Sequence, residues 1–234
     1  MKTAIPEDRL EEQLKIKKWA VICRPGTTDV EIAKQVLRRE HYKQMKLRKT
    51  DILLDAGANI GAFSIWASDK VKRIIAAEPN ADNYLMMMRN LEKNKITVAK
   101  VIQLMIAVTG TDNKYRTLYV NQGTSRAIHS LIHKRGRRES IVQCENVNSL
   151  IAKYKITAMK LDIEGGEIEV INAMTAKSWK RIRSMAIEFH HNALNDHGHK
   201  LFKKTIKILN SHFTTLTYNK SPGKNWTTMI YAER

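Results

Sequence analysis

Two cysteines, four prolines and 6% aromatic residues are all this chain carries, and its 23 acidic residues are far outnumbered by 41 basic ones. Cys23 and Cys144 lie far apart and match no metal-ligand spacing, which excludes a disulfide-stapled scaffold and a zinc ribbon. Reduced thiols are expected, as in cytosol. No apolar stretch approaches the roughly 20 residues a membrane-crossing helix needs. Residues 1–8 lack the apolar core of a signal peptide, so an unexported, cytoplasmic protein is expected. The composition marks no linker, and 234 residues suit one α/β domain. It is expected over 21–234, after an N-terminal extension over 1–20 and with an insertion at about 110–147.

The shortage of acid leaves a formal net charge of +18. Lys34, Arg38, Arg39, Lys43, Lys46, Arg48 and Lys49 crowd one segment, and a second cluster runs His133-Lys134-Arg135-Gly136-Arg137-Arg138. Both would attract a polyanion such as RNA or an acidic glycan, although solvated helix faces account for them equally well. No aromatic residues interleave with these charges as a single-strand stacking platform would require.

Against this background the informative element is Asp55-Ala56-Gly57-Ala58-Asn59-Ile60-Gly61, directly after the apolar run Ile52-Leu53-Leu54. A strand ends there, turns tightly and feeds a helix, and Gly57 and Gly61 supply the backbone freedom such a turn requires. Glu78 closes the next apolar run 23 residues past Asp55, where an acid would hold a ribose hydroxyl pair. Asn59 stands where the dinucleotide fingerprint wants its middle glycine, which disfavours a pyrophosphate. S-adenosylmethionine fits better than NAD, because its cationic sulfonium half gains from the nearby acid Asp55.

Strands and helices alternate along the chain. Ile32, Val36 and Leu37 recur at helical spacing; strands are expected at 51–55, 73–78, 101–108, 158–161 and 185–189. Helices are expected over 61–69, from Pro79-Asn80 onward, over 166–176 and over 198–210. In the second, Leu85, Met88, Leu91 and Glu92 describe the packed face, and Met86 to Met88 read as adaptable core filler. Extra strands at 116–120 and 141–147 flank a basic loop, and 213–218 with 228–232 form a hairpin across Ser221-Pro222-Gly223. The expected fold is α/β, a mainly parallel sheet with one antiparallel edge hairpin.

A second motif, Lys160-Leu161-Asp162-Ile163-Glu164-Gly165-Gly166-Glu167, puts carboxylates and glycines where the fourth strand leaves the sheet. Ligand crevices in such sheets lie beyond the strands' carboxyl ends, so this turn should face the space the glycine loop faces. Glu167 and Glu169 are expected only to complement the next helix's positive end.

These motifs together resemble the FkbM family of S-adenosylmethionine-dependent methyltransferases. The similarity covers roughly residues 21–191: Arg24-Pro25-Gly26-Thr27-Thr28-Asp29, Tyr42, the loop ending at Gly61, Ala77-Glu78-Pro79-Asn80, Asn90, Ala107-Val108, the Lys160–Glu167 motif and Ile187-Glu188-Phe189-His190, in that order. Gly166 stands where alanine is usual. The resemblance implies a Rossmann-like class I methyltransferase fold and methyl transfer to an oxygen, commonly of a sugar or polyketide. It places Asp55, Gly57, Ala58, Asn59 and Gly61 around the methionine half of the cofactor, Glu78 on the ribose, and Pro79, Asn80 and Ala107 toward the adenine.

An alcohol acceptor needs a base, and Asp162, Glu188 and His190 are the catalytic candidates at the ends of neighbouring strands. His190, titrating near neutrality, is the first choice, with Asp162 orienting it or the substrate. A metal on Asp162, Glu188 and a histidine is conceivable, but His190, His191, His197 and His199 lack a recognised ligand spacing and no metal is assigned. Three functions remain open: methylation of a glycan or small-molecule hydroxyl, with the 110–140 segment in the acceptor pocket; RNA methylation through the basic surface; and a non-catalytic scaffold. Ribose 2′-O enzymes similar to this fold carry a lysine near the end of the strand after the catalytic aspartate, where this chain has Glu188, Phe189 and His190.

Overall fold

The computed structural model describes residues 12–121, 129–132, 134, 138–191, 198–220 and 227–234. His133, Arg135, Gly136, Arg137, His197 and the Ser221-Pro222-Gly223 turn lie outside the described residues.

A seven-stranded sheet forms the centre, built from β3 (Ile52–Ala56), β4 (Arg73–Ala77), β5 (Val101–Leu104), β9 (Ala158–Leu161), β10 (Ser184–His190), β11 (Thr215–Lys220) and β12 (Thr227–Glu233) in the order β11-β12-β10-β9-β3-β4-β5. The neighbours from β10 to β5 pair in parallel, and β12 runs antiparallel to both β10 and β11. The expected terminal hairpin is therefore present, with its second strand inserted inside the edge. Strand order reverses between β3 and β9, so a crevice opens beyond their carboxyl ends.

Strands covered on both faces are mainly apolar, with buried Asp55 and Lys160 as exceptions near their carboxyl ends, because successive side chains point to opposite layers. Leu53, Ile74, Ala158 and Ala186 join one core with α2 (Ala62–Ala67) and α3 (Ala81–Lys93). Leu54, Ile75, Met159 and Ile187 join the other, with α4 (Val147–Tyr154), α5 (Glu167–Ala173), α6 (Ala176–Arg181) and α7 (Gly198–Asn210).

Several sequence expectations are corrected. The strand expected over 101–108 breaks after β5 at exposed Met105, and β6 (Ala107–Thr109) joins a separate sheet in the order β6-β8-β7, with β7 (Tyr115–Val120) and β8 (Arg138–Asn146). The helix expected over 166–176 ends at Ala173, and α6 restarts at Thr175, whose hydroxyl accepts from the Ser178 amide at 3.2 Å. In α3 the buried residues are Asn83, Met86, Met87, Asn90 and Leu91, while Leu85 and Met88 are exposed. Three adjacent methionines fit two helical phases, and buried Asn83 and Asn90 decide between them.

Both asparagines are tethers. Asn90 accepts from the Ile22 amide at 2.6 Å and donates to the carbonyls of Ile22 (3.1 Å) and Ile60 (3.0 Å). It thereby ties the glycine loop to an N-terminal hairpin of β1 (Glu12–Ile16) and β2 (Trp19–Cys23), which sequence reasoning did not anticipate; residue 20, the expected edge of the extension, lies within β2. Arg24 forks onto Asp29 at 2.7 and 2.9 Å and donates to Asn83 at 2.8 Å, which orients α1 (Asp29–Ala33). A π-helical turn, Lys34–Arg38, follows, and His41 and Tyr42 then reach the crevice.

Candidate active site

A cavity of about 220 Å³ opens at the reversal point of the sheet. One end is lined by Gly57, Ala58, Asn59, Glu78, Pro79 and Ile106 to Val108, the other by His41, Tyr42, Asp162, Glu164, Glu188 and His190. Leu118, His129 and Leu131, from the segment between β6 and α4, complete the wall.

The glycine loop is built as its sequence requires. Gly57 has φ +75°, and a Cβ there would sit 1.8 Å from the Asp162 carbonyl oxygen, so the loop can lie against the tip of β9 only with glycine. Asn59 and Gly61 also take left-handed conformations, at φ 52° and 85°. Glu78 accepts from the Asn59 amide and the Asn80 amide, each at 2.9 Å, which clamps the loop to the tip of β4. Burial pushes its carboxyl up to about 7, although both amides pull it back. Asn80 accepts from the Asn83 amide at 3.0 Å and caps α3.

Of the residues expected around a cofactor, Gly57, Ala58, Asn59, Glu78, Pro79 and Ala107 line the cavity, whereas Asp55, Gly61 and Asn80 stand behind it. Asp55 is fully buried, accepts from Ser64 at 2.7 Å and lies 3.3 Å from the Lys160 ammonium. It braces the loop from beneath, because its carboxylate is engaged before any ligand arrives. The cavity residues suit an adenosyl ligand: an acid at a strand tip, apolar Ile106 and Val108, and the buried Asn59 Oδ1, which has no hydrogen-bond partner among the described residues.

Lys160 carries a charge on an otherwise apolar central strand, and it links the two ends of the site. It donates to the Gly57 carbonyl at 2.7 Å and lies 3.3 Å from both Asp55 and Asp162. Burial opposes its charge, yet Asp162 and Asp55 together raise its pKa. Sequence reasoning quoted this lysine without giving it a role; period 2 puts it on the face of Asp162, and a charged residue inside a buried strand was the available signal.

The three expected catalytic residues do come together. Burial would raise the Asp162 carboxyl, but Lys160 and then His190 hold it below its usual value, and the Tyr42 hydroxyl donates to it at 3.3 Å. Burial, reinforced by Asp162, pushes Glu188 up to about 7. His41 Nε2 lies 3.8 Å from Glu188 and makes no hydrogen bond among the described residues, and burial lowers the pKa of its ring.

His190 is nearly fully buried, with Nδ1 3.0 Å from Glu167 and Nε2 3.5 Å from Glu164 and 3.9 Å from Asp162. Burial alone would lower its pKa; Glu164 and Glu167 reverse this and raise it well above the ordinary histidine value. A ring held protonated by carboxylates is a poor first proton acceptor, contrary to the expectation from histidine's usual titration. Glu167 and Glu169 also exceed the helix-end role expected of them. Glu167 accepts from the Ile163 and Gly165 amides, and Glu169 pairs with Arg116 at 2.8 Å and accepts from the Gly110 amide at 2.9 Å. Among the described residues the group spaced to hold a metal is Asp162, Glu164 and His190, in place of the set with Glu188 considered from sequence.

A doubly covered parallel sheet with one reversed strand, a glycine loop and a strand-tip acid together define a Rossmann-like class I methyltransferase that uses S-adenosylmethionine. The model of the methyltransferase FkbM domain matches residues 55–214, and the chain belongs to that family. It is similar to methyltransferase sdnD of Sordaria araneosa, 23% identical over 67% of this chain and 73% of that protein, and to methyltransferase 1 of Beauveria bassiana, 22% identical over 67% and 72%. A 61-residue stretch, 26% of this chain and 11% of the other, is 39% identical to a tRNA (guanine(37)-N(1))-methyltransferase of Aedes aegypti. Among solved structures, methyltransferase FkbM from Methylobacillus flagellatus superposes with a TM-score of 0.57 at 17% identity; the match covers 82% of this chain and 45% of that one. TYW2 of M. jannaschii, in complex with AdoMet, gives 0.52 at 12% identity over 96% and 87%.

Proposed function

We propose that this enzyme methylates a hydroxyl oxygen of a sugar, glycan or other small molecule. The supporting observation is Glu188, a carboxyl raised to about 7 in the cavity wall, poised to accept a proton near neutral pH. Gly57, Ala58 and Asn59 would hold the methionine half of the cofactor, Glu78 the ribose, and Pro79 with Ala107 the adenine side. Asp55, Gly61 and Asn80 support those residues from behind. When bound, the cofactor supplies a methyl group already activated on a sulfonium, so what the chain adds is position and proton removal.

The acceptor hydroxyl would give its proton to Glu188 as its oxygen took the methyl, a carbon–oxygen bond replacing the carbon–sulfur bond of the cofactor, which would leave as S-adenosylhomocysteine. Charged Asp162 and His190 orient the hydroxyl, and neutral His41 is placed to pass the proton from Glu188 outward. The segment 110–147 walls the acceptor side through Leu118, His129 and Leu131, as an insertion in a single domain over 21–234. We place this chemistry in the cytoplasm, a compartment that keeps thiols such as the free, buried Cys23 and Cys144 reduced; among the described residues no helix is long and apolar enough to cross a membrane.

One observation favours RNA as the acceptor instead. Arg38, Arg39, Lys43 and Lys46 are exposed on the segment that carries His41 and Tyr42 into the cavity. Incubation with labelled S-adenosylmethionine and a panel of glycans, nucleotide sugars and RNA, followed by mass analysis, separates the two. Label on a glycan or sugar hydroxyl is the expected result; label in RNA alone, lost on raising salt, would replace the reading.

A further inference from the structure

We propose that Asp162, Glu164 and His190 form a binding site for one divalent first-row metal ion at the reaction end of the cavity. The donor atoms, one carboxylate oxygen from each acid and Nε2 of the imidazole, all lie within 4.8 Å of one another. Metal–ligand bonds of about 2.1 Å hold neighbouring donors ~3.0–3.5 Å apart, so small side-chain rotations complete the set. The backbone already converges: Asp162 and Glu164 sit on one turn, and His190 ends the strand that pairs with β9.

Two features distinguish this group from an ordinary acidic patch. The first is the support behind the imidazole. Glu167, 1% exposed and anchored by the Ile163 and Gly165 amides, faces His190 Nδ1 at 3.0 Å. A carboxylate that accepts a hydrogen bond from Nδ1–H keeps the proton on Nδ1 and fixes the tautomer whose Nε2 lone pair is free to ligate, which is how metal-bound histidines are habitually held. The second is Nε2 itself. His190 is 6% exposed, and this nitrogen points between Glu164 Oε2 at 3.5 Å and Asp162 Oδ1 at 3.9 Å, both longer than an ordinary hydrogen bond and facing it together. A cation there takes the place of the Nε2 proton and satisfies all three groups.

One imidazole and two carboxylates suit manganese, iron or zinc better than magnesium, which prefers oxygen throughout. Three ligands from one side leave positions facing the cavity. If the acceptor is a hydroxyl, as proposed above, an ion there binds its oxygen and lowers its pKa, which eases proton transfer to Glu188. The site itself does not depend on that reading.

The test uses the full chain freed of metal by chelation and titrated with Mn2+, with unbound Mn2+ followed by electron paramagnetic resonance and no acceptor present. One equivalent should bind. Glu164→Gln and His190→Gln should weaken it by at least about 10-fold, and Glu167→Gln, acting through the imidazole, by about 10-fold or more. Glu92→Gln, on the far exposed side of α3, should bind as the unaltered protein does. Thermal melting within a few degrees of the parent shows that each variant is folded. Absence of stoichiometric Mn2+ binding, or wild-type binding by folded His190→Gln, overturns the site. Hydroxyl methylation with no Mn2+ binding overturns the site while leaving the function standing; Mn2+ binding with methyl transfer to RNA alone does the reverse.

Discussion

The two ends of the cavity are made in different ways. The end proposed for the cofactor draws on three short contiguous segments, 55–61, 77–80 and 106–108, whose backbone does most of the work: left-handed glycines, amide donors and one carboxylate at a strand tip. The end proposed for the reaction gathers His41, Tyr42, Asp162, Glu164, Glu188 and His190 from three separate stretches of chain, and side-chain charge does the work there. Backbone conformation is local and leaves a motif; charge clusters are assembled by topology and leave scattered letters. Lys160 joins the two, holding the Gly57 carbonyl with one proton and standing between Asp55 and Asp162.

Removing that link should have the largest effect. Lys160→Met leaves two carboxylates facing each other without their counter-charge, and breaking a buried ion pair from one side costs ~3–5 kcal/mol. Chemical denaturation should show the loss, and both S-adenosylhomocysteine binding and turnover should suffer together. A variant that keeps its stability would mean the two ends are independent.

Damage confined to the cofactor end comes next. Gly57→Ala puts a methyl group into the Asp162 carbonyl and an L-residue at positive φ, at roughly 2–4 kcal/mol. Ligand binding measured by calorimetry should fall below detection even where thermal melting shows that the chain still folds. Binding within threefold of the parent would show that the loop has room the structure does not give it.

At the reaction end, Glu188→Gln should leave ligand binding intact and slow turnover by on the order of 100-fold. The pH profile sharpens this. A carboxyl must be ionised to accept a proton, so with Glu188 at about 7 the rate should rise from pH 6 to pH 8, and the glutamine variant should lose that rise. A persistent rise would move the base to another group, with His41 the next nearest.

This contrast also explains how much could be read in advance. The doubly wound sheet, the glycine turn and Glu78 were legible because each is a local pattern: an apolar run, a glycine spacing, an acid at the next strand's end. That Asp162, Glu188 and His190 meet in one cavity was legible because the ends of neighbouring parallel strands must share a crevice. Their division of labour was not, since the shift at His190 comes from Glu164 and Glu167, which approach it only after the turn at positive-φ Glu164 and Gly165 has formed. His41 was invisible, standing in a basic segment that reads as surface. The break at Met105 was hidden because an apolar run looks the same whether it continues in one sheet or changes to another.

The central claim is that one end of the cavity holds the adenosyl group and the other handles the acceptor's proton. Calorimetric titration of S-adenosylhomocysteine into the parent protein, Glu78→Gln and Glu188→Gln tests it most directly. Glu78→Gln should bind at least about 10-fold more weakly, by loss of charged hydrogen bonds to the ribose, and Glu188→Gln should match the parent. No binding by the parent protein, or equal weakening in both variants, would contradict the division.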